Sequence, residues 1–149
     1  QMTNTGDALV SEYPLLDSES RTESPVVGPR IKVWLARGPQ ASVFGDGKWR
    51  LLTAIERTGS LRAAAETLHM SYRKAWGDIR KAERAIGVSL VTRSRGGCGG
   101  GATLLTKRGR EWVEAYSRFR DDVARSVDRA FAECMGSLEE LGAGAPPDV

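Results

Sequence analysis

The chain has 149 residues, enough for one domain with extensions and too few for two full domains and a linker. Hydrophobic residues make up 40% and charged residues 28%, a soluble globular composition, and no apolar run approaches the roughly 18 residues of a membrane span. Two cysteines (Cys98, Cys134) and one histidine (His69) exclude a disulfide scaffold and a four-cysteine zinc site, and leave a single imidazole for any Ser-His-Asp unit. Gln1 to Gly6 lack a basic stretch followed by an apolar one, so no signal peptide is expected and the cytoplasm is the default location.

The net charge of +3 conceals a partition. Residues 1–29 hold one base and five acids, residues 30–110 hold 17 bases and five acids, and residues 111–149 hold four bases and nine acids. A basic middle between acidic flanks points at a polyanion, of which nucleic acid is the commonest, against the plainer reading of an Arg-rich solvated surface.

Residues 1–29 contain Pro14, Pro25 and Pro29 and no sustained periodicity, and read as a disordered acidic extension. Ile31 to Leu35 alternates apolar and polar residues as a short strand does, and Arg37-Gly38-Pro39 breaks it. Asp46 to Thr58 reads as a helix with Trp49, Leu52 and Ile55 three apart on a face that Leu51 widens, Asp46 as candidate N-cap and Gly59 as stop. Ser60 caps a short second helix whose Leu61, Ala64, Ala65 and Leu68 form one stripe. After a turn at His69-Met70, Ser71 caps a third helix running to Ile86. Its inner face is Ala75, Ile79, Ala82 and Ile86, and Gly87 closes it.

Val88 to Ser94 and Ala102 to Leu105 read as two strands of a hairpin. Its tip, Gly96-Gly97-Cys98-Gly99-Gly100-Gly101, has five glycines in six positions. A Walker loop would need Lys-Ser/Thr after the last glycine, and Ala102-Thr103 stands there. Thr106 caps a final helix over Lys107 to Met135, about 44 Å long at roughly 1.5 Å per residue. Its apolar stripe of Trp112, Val113, Tyr116, Phe119, Val123, Val127 and Phe131 exceeds what a small core needs and is expected to be a homodimer interface, against the plainer reading of packing back on its own domain. Residues 30–106 are therefore expected to form the domain, 107–138 a dimerisation helix and 139–149 a disordered tail.

The order of helices followed by a glycine-tipped hairpin gives a mainly α fold with a small β-hairpin, a winged helix-turn-helix. A helix fits the major groove and its outward N-terminal residues reach base edges. Here these are Ser71, Tyr72, Arg73 and Lys74, with Arg73 suited to guanine and Tyr72 to a phosphate through its hydroxyl or a thymine methyl through its ring. Gly77 on the outer stripe allows close backbone approach, and Arg80, Lys81 and Arg84 are placed for phosphates. Trp76 falls about 80° from the inner-face centre, open to either packing or DNA contact. Arg93, Arg95 and the glycines Gly96, Gly97, Gly99, Gly100 and Gly101 form the wing, and Lys107 and Arg108 follow it. His69 reads as a turn residue, Cys98 as an unreactive thiol or a redox sensor, and Cys134 as packing or surface. No catalytic or metal-ligating set is expected.

Residues 47–109 resemble the N-terminal DNA-binding domain of the ModE-type molybdate-responsive transcriptional regulators. The resemblance rests on Gly59-Ser60 with Ala63-Ala64-Ala65, on Met70 to Trp76, on Leu90-Val91, on the glycine run with Ala102, and on Leu105-Thr106 with Gly109. The helix-turn-helix pattern alone is similar to the wider LysR-type group. The resemblance implies a winged helix that dimerises through its long helix and binds a pseudo-palindromic operator in double-stranded DNA, with a place in molybdenum or oxyanion homeostasis. Full-length members carry oxyanion-sensing domains, for which the 14 residues after Met135 leave no room. No cofactor is expected in this chain, and sensing, if it occurs, falls to a separate sensor protein. The alternative is a dimeric winged-helix module that binds another protein and binds DNA weakly.

Overall fold

The computed structural model describes residues 27–39, 41–96, 101–138 and 141. Most of the acidic extension expected at 1–29, four wing-tip residues including Cys98, and nearly all of the tail expected at 139–149 lie outside the described residues.

Two strands come first. β1 (Trp34–Arg37) and β2 (Ala41–Gly45) pair antiparallel, with Leu35 opposite Phe44 and a register shift between Leu35 and Ala36. Gly38 turns the chain at φ 71°, in the left-handed region that a residue without Cβ enters freely. Sequence reading placed one strand at 31–35. The strand lies further along, and its partner was missed because Ala41–Gly45 buries only Phe44 and shows almost no alternation.

α1 (Asp46–Thr58) buries Leu51, Leu52, Ala54 and Ile55. Gly45, not Asp46, occupies the N-cap. Asp46 turns inward instead, where its Oδ1 accepts the Tyr116 hydroxyl at 2.8 Å. Gly59 ends α1 with φ 67° and donates to the Ile55 carbonyl at 2.8 Å. α2 (Leu61–Thr67) begins where Ser60 Oγ accepts the Ala63 N–H at 3.2 Å, and it buries Leu61, Ala64 and Ala65.

The turn into the next helix has a specific geometry. His69 adopts φ 53° and donates its N–H to the Glu66 carbonyl, and Met70 donates to the Ala65 carbonyl. These two bonds satisfy the last carbonyls of α2 in a Schellman arrangement, with histidine at the position glycine usually fills. α3 (Tyr72–Ile86) then starts with Ser71 Oγ accepting the Lys74 N–H at 3.0 Å. Ala75, Ile79 and Ala82 are buried, and Gly87 closes the helix at φ 84°.

β3 (Val91–Arg93) and β4 (Thr103–Leu105) form the wing hairpin, with Val91 opposite Leu105 and Arg93 opposite Thr103. β3 is shorter than the expected 88–94. The Leu90 and Val91 amides donate to Glu83 Oε1 at 2.9 and 3.3 Å, so a side chain of α3 holds that stretch. The Thr103 N–H donates to the Gly59 carbonyl at 3.0 Å and ties the wing to the end of α1.

α4 (Lys107–Met135) is capped by Thr106, whose Oγ1 accepts the Gly109 N–H at 2.9 Å while its hydroxyl donates to the Ser89 carbonyl at 2.7 Å. The core gathers Phe44, Leu51, Leu52, Ile55, Leu61, Ile79 and Leu90, all essentially inaccessible to water.

The compact unit extends over Val33–Arg118, and so includes the first turns of α4 beyond the expected boundary at 106. Val113 and Tyr116 are buried in its core, and Trp112 packs against that core with its ring 5.4 Å from Phe44. These three were assigned to a homodimer interface, and this is corrected: the small α1–α3 core is open on the side of β2, and the start of α4 closes it. The rest of α4, from Phe119, belongs to a second unit. There Phe119 is exposed, and Val123, Val127 and Phe131 are half-buried.

Candidate nucleic-acid interface

The buried stripe of α3 fixes what its opposite side presents. At 100° per residue, Arg73, Gly77, Arg80 and Arg84 fall within a narrow sector facing away from Ala75, Ile79 and Ala82. Arg73, Arg80 and Arg84 are exposed, as are Ser71, Lys74 and Lys81. A Cβ on Gly77 would meet open space, so the absence of a side chain leaves the backbone bare in the middle of this face.

The two flanks of the face differ chemically. On one, the Lys74 ammonium pairs with Asp78 at 2.7 Å, next to Lys81. Lys48 of α1 also belongs here: its Nζ donates to the Val43 carbonyl at 3.1 Å. Burial pushes the Lys48 ammonium pKa below its ordinary value, with the Asp78 carboxylate opposing. Lys48 was missed in the sequence because one lysine in the first turn of α1 carries no distinguishing signal.

The other flank is aromatic. Tyr72 and Trp76, one turn apart, are both half-buried. The Tyr72 hydroxyl accepts from Arg93 Nη2 of β3 at 2.6 Å. The Arg93 guanidinium also lies 4.8 Å from the Trp76 ring centroid, and that of Arg80 lies 5.1 Å from the same centroid. Arg62 of α2, which carries no distinguishing signal in the sequence, stands over the Tyr72 ring at 5.1 Å. Trp76, open in the sequence between packing and DNA contact, packs against the core and carries two guanidiniums.

Arg93, at the end of β3, and Arg95 and Gly96 just beyond it are exposed on the way to the wing tip. Gly101 returns so close to the Ser94 carbonyl that a Cβ would collide with it. Gly97, Gly99 and Gly100 lie outside the described residues. Lys107 and Arg108 are exposed at the start of α4, where Arg108 pairs with Glu111 at 2.8 Å. Beyond α3, Arg80 and Arg84 line an open cleft of about 440 Å³ with Glu83, Gly87, Val88 and Ser89. Among the described residues no group of three or more His, Cys, Asp or Glu side chains gathers to hold a metal ion, and no helix is long and apolar enough to cross a membrane.

The sequence of this region has known relatives. Residues 47–110 match the family model of the bacterial regulatory helix-turn-helix proteins, lysR family. The molybdenum-pterin-binding protein MopB of Rhodobacter capsulatus is 37% identical over 55% of this chain and 30% of its own. The molybdenum transport protein ModE of Azotobacter vinelandii is 38% identical over 59% of this chain and 33% of its own. The chain thus spans about a third of the length of these curated relatives. Among solved structures, the CbnR_DBD–DNA complex is similar with a TM-score of 0.48 and 29% identity, over 58% of this chain and 94% of that one. Residues 47–110 are a helix-turn-helix domain of the bacterial lysR type.

Proposed function

We propose that this chain is a ModE-like, DNA-binding transcriptional regulator that reads a pseudo-palindromic operator as a homodimer. The observation that carries the reading is the outer face of α3, where Arg73, Arg80 and Arg84 stand exposed on both sides of a bare Gly77 backbone. A helix with that face fits a major groove, where arginine makes the bidentate contact to guanine and neighbouring cations take phosphates. The wing arginines Arg93 and Arg95 extend the contact to an adjacent stretch of backbone. Phe119, Val123, Val127 and Phe131 of α4 supply the homodimer contact, which sets the spacing of two recognition helices.

A role in molybdenum homeostasis is supported by the likeness to the molybdenum-pterin-binding protein MopB and the molybdenum transport protein ModE. The segment present here would then supply the operator-binding part of that response. The experiment is a selection from random duplex DNA with the purified chain at two salt concentrations, with and without molybdate. An inverted repeat with steep salt dependence supports the reading. Binding without a motif, or none, overturns it in favour of a protein-interaction module.

A further inference from the structure

The aromatic flank of α3 does more than fill space. Tyr72 and Trp76 face β3, and the guanidinium they hold belongs to the wing strand, 21 residues from Tyr72 along the chain. Arg93 is exposed, yet its Nη2 is engaged by the Tyr72 oxygen and its plane is held near the Trp76 ring. A long side chain on an exposed strand ordinarily samples many rotamers, and ordering it on DNA costs conformational entropy. A guanidinium already fixed by a hydrogen bond and a ring loses less on binding. Arg93 is exposed at the seam between recognition helix and wing, with N–H donors beyond the one that Tyr72 engages. Arg80, on the DNA-facing sector of the same helix, shares the ring.

We propose that Trp76 and Tyr72 are positioning residues which clamp Arg93 at this seam as a preformed DNA-phosphate site, so that α3 and the wing engage the duplex as one unit. This rests on the DNA-binding reading above. It assigns Tyr72 a different task from base contact: its oxygen accepts from Arg93, and its own hydroxyl proton remains available for a phosphate oxygen. Arg62, over the other aromatic ring, braces Tyr72 from α2.

The test uses the full chain and the duplex recovered in the selection. Trp76→Leu, Trp76→Phe, Tyr72→Phe, Arg93→Gln and the Trp76→Leu/Arg93→Gln pair are compared by affinity at several salt concentrations, after thermal melting has shown each to be folded. Trp76→Leu and Arg93→Gln are each expected to weaken binding about five- to thirtyfold. Each should lower the salt slope by about one phosphate. The double variant should be little weaker than either single, because both remove the same contact. Trp76→Phe keeps a ring and should restore most of the loss. Losses that multiply in the double variant, or a Trp76→Leu salt slope equal to that of the parent, overturn the clamp while leaving DNA binding intact. A parent chain without salt-dependent DNA binding overturns the functional reading and the clamp with it.

Discussion

The Tyr116 hydroxyl of α4 donates to the Asp46 carboxylate of α1 at 2.8 Å, across 70 residues of sequence and in a site closed to water. The Tyr116 ring meets Phe44 edge-on at 5.1 Å and stands 6.3 Å from Trp49. One turn of α4 thereby closes the core with both ring and hydroxyl. Tyr116→Phe keeps the packing and deletes a hydrogen bond to a charged group, which should destabilise the domain by about 1.5–3 kcal/mol. Urea unfolding followed by circular dichroism measures it, and a loss under about 0.5 kcal/mol would show that the bond contributes little.

Among the described glycines, Gly109 makes the closest approach to other backbone. A Cβ there would collide with the Leu90 carbonyl oxygen, because the first turn of α4 lies directly on the backbone just before β3. Backbone cannot yield as a flexible side chain can. Gly109→Ala should therefore cost about 2–4 kcal/mol despite alanine's better helix propensity. A variant with the parent's unfolding midpoint would mean that α4 can shift freely off Leu90.

Gly77 predicts the opposite sign. It also lies inside a helix, but its Cβ would meet nothing. Gly77→Ala should stabilise the chain by about 0.8–1 kcal/mol through helix propensity. The same methyl stands where the backbone would face the groove, so operator affinity should fall as stability rises. Melting and binding measured on one preparation give both signs. A more stable variant with undiminished affinity would place α3 further from DNA than its bare backbone suggests.

The elements with strong local signals were legible in sequence. α3 and α4 begin after the caps Ser71 and Thr106, and α1 and α3 end at the stops Gly59 and Gly87, since these signals act locally. What escaped was set by distant partners. Asp46 reads as an N-cap until Tyr116 is brought to it by the fold. Val113 and Tyr116 share a stripe with Val123 and Phe131, and periodicity cannot tell which part of a long apolar stripe meets its own domain. The β1–β2 hairpin is short and nearly without pattern. On the candidate interface, the basic face of α3 was read from spacing alone, whereas the grouping of Arg62, Tyr72, Trp76 and Arg93 joins three elements and has no linear signature.

His69 carries a small backbone cost. At φ 53° it occupies the left-handed region, which glycine enters freely and histidine with some penalty. Its side chain is exposed. His69→Gly should therefore be neutral or stabilising by up to about 1 kcal/mol. His69→Val should be destabilising by about 1–3 kcal/mol, because a β-branched residue crowds there. The pair measured by urea titration separates backbone from side chain: equal losses in both would mean that the imidazole itself matters.

Arg73 and Arg84 share the outer sector of α3 but differ in position along it, and this separates specificity from affinity. Arg73 lies in the first turn, where a helix entering the major groove reaches base edges. Arg84 lies in the last turn, beside the cleft formed with Gly87 and Ser89. Arg73→Ala should cost about 1–3 kcal/mol on the selected site and relax preference at the base it reads. Arg84→Ala should weaken all duplexes by a similar factor and lower the salt slope by about one. Binding of each variant to a panel of single-base operator changes, at two salt concentrations, decides the matter. If Arg73→Ala retained the parent's full ranking of that panel, the N-terminal end of α3 would not be the reading end, and the orientation of the domain on DNA would have to be reversed.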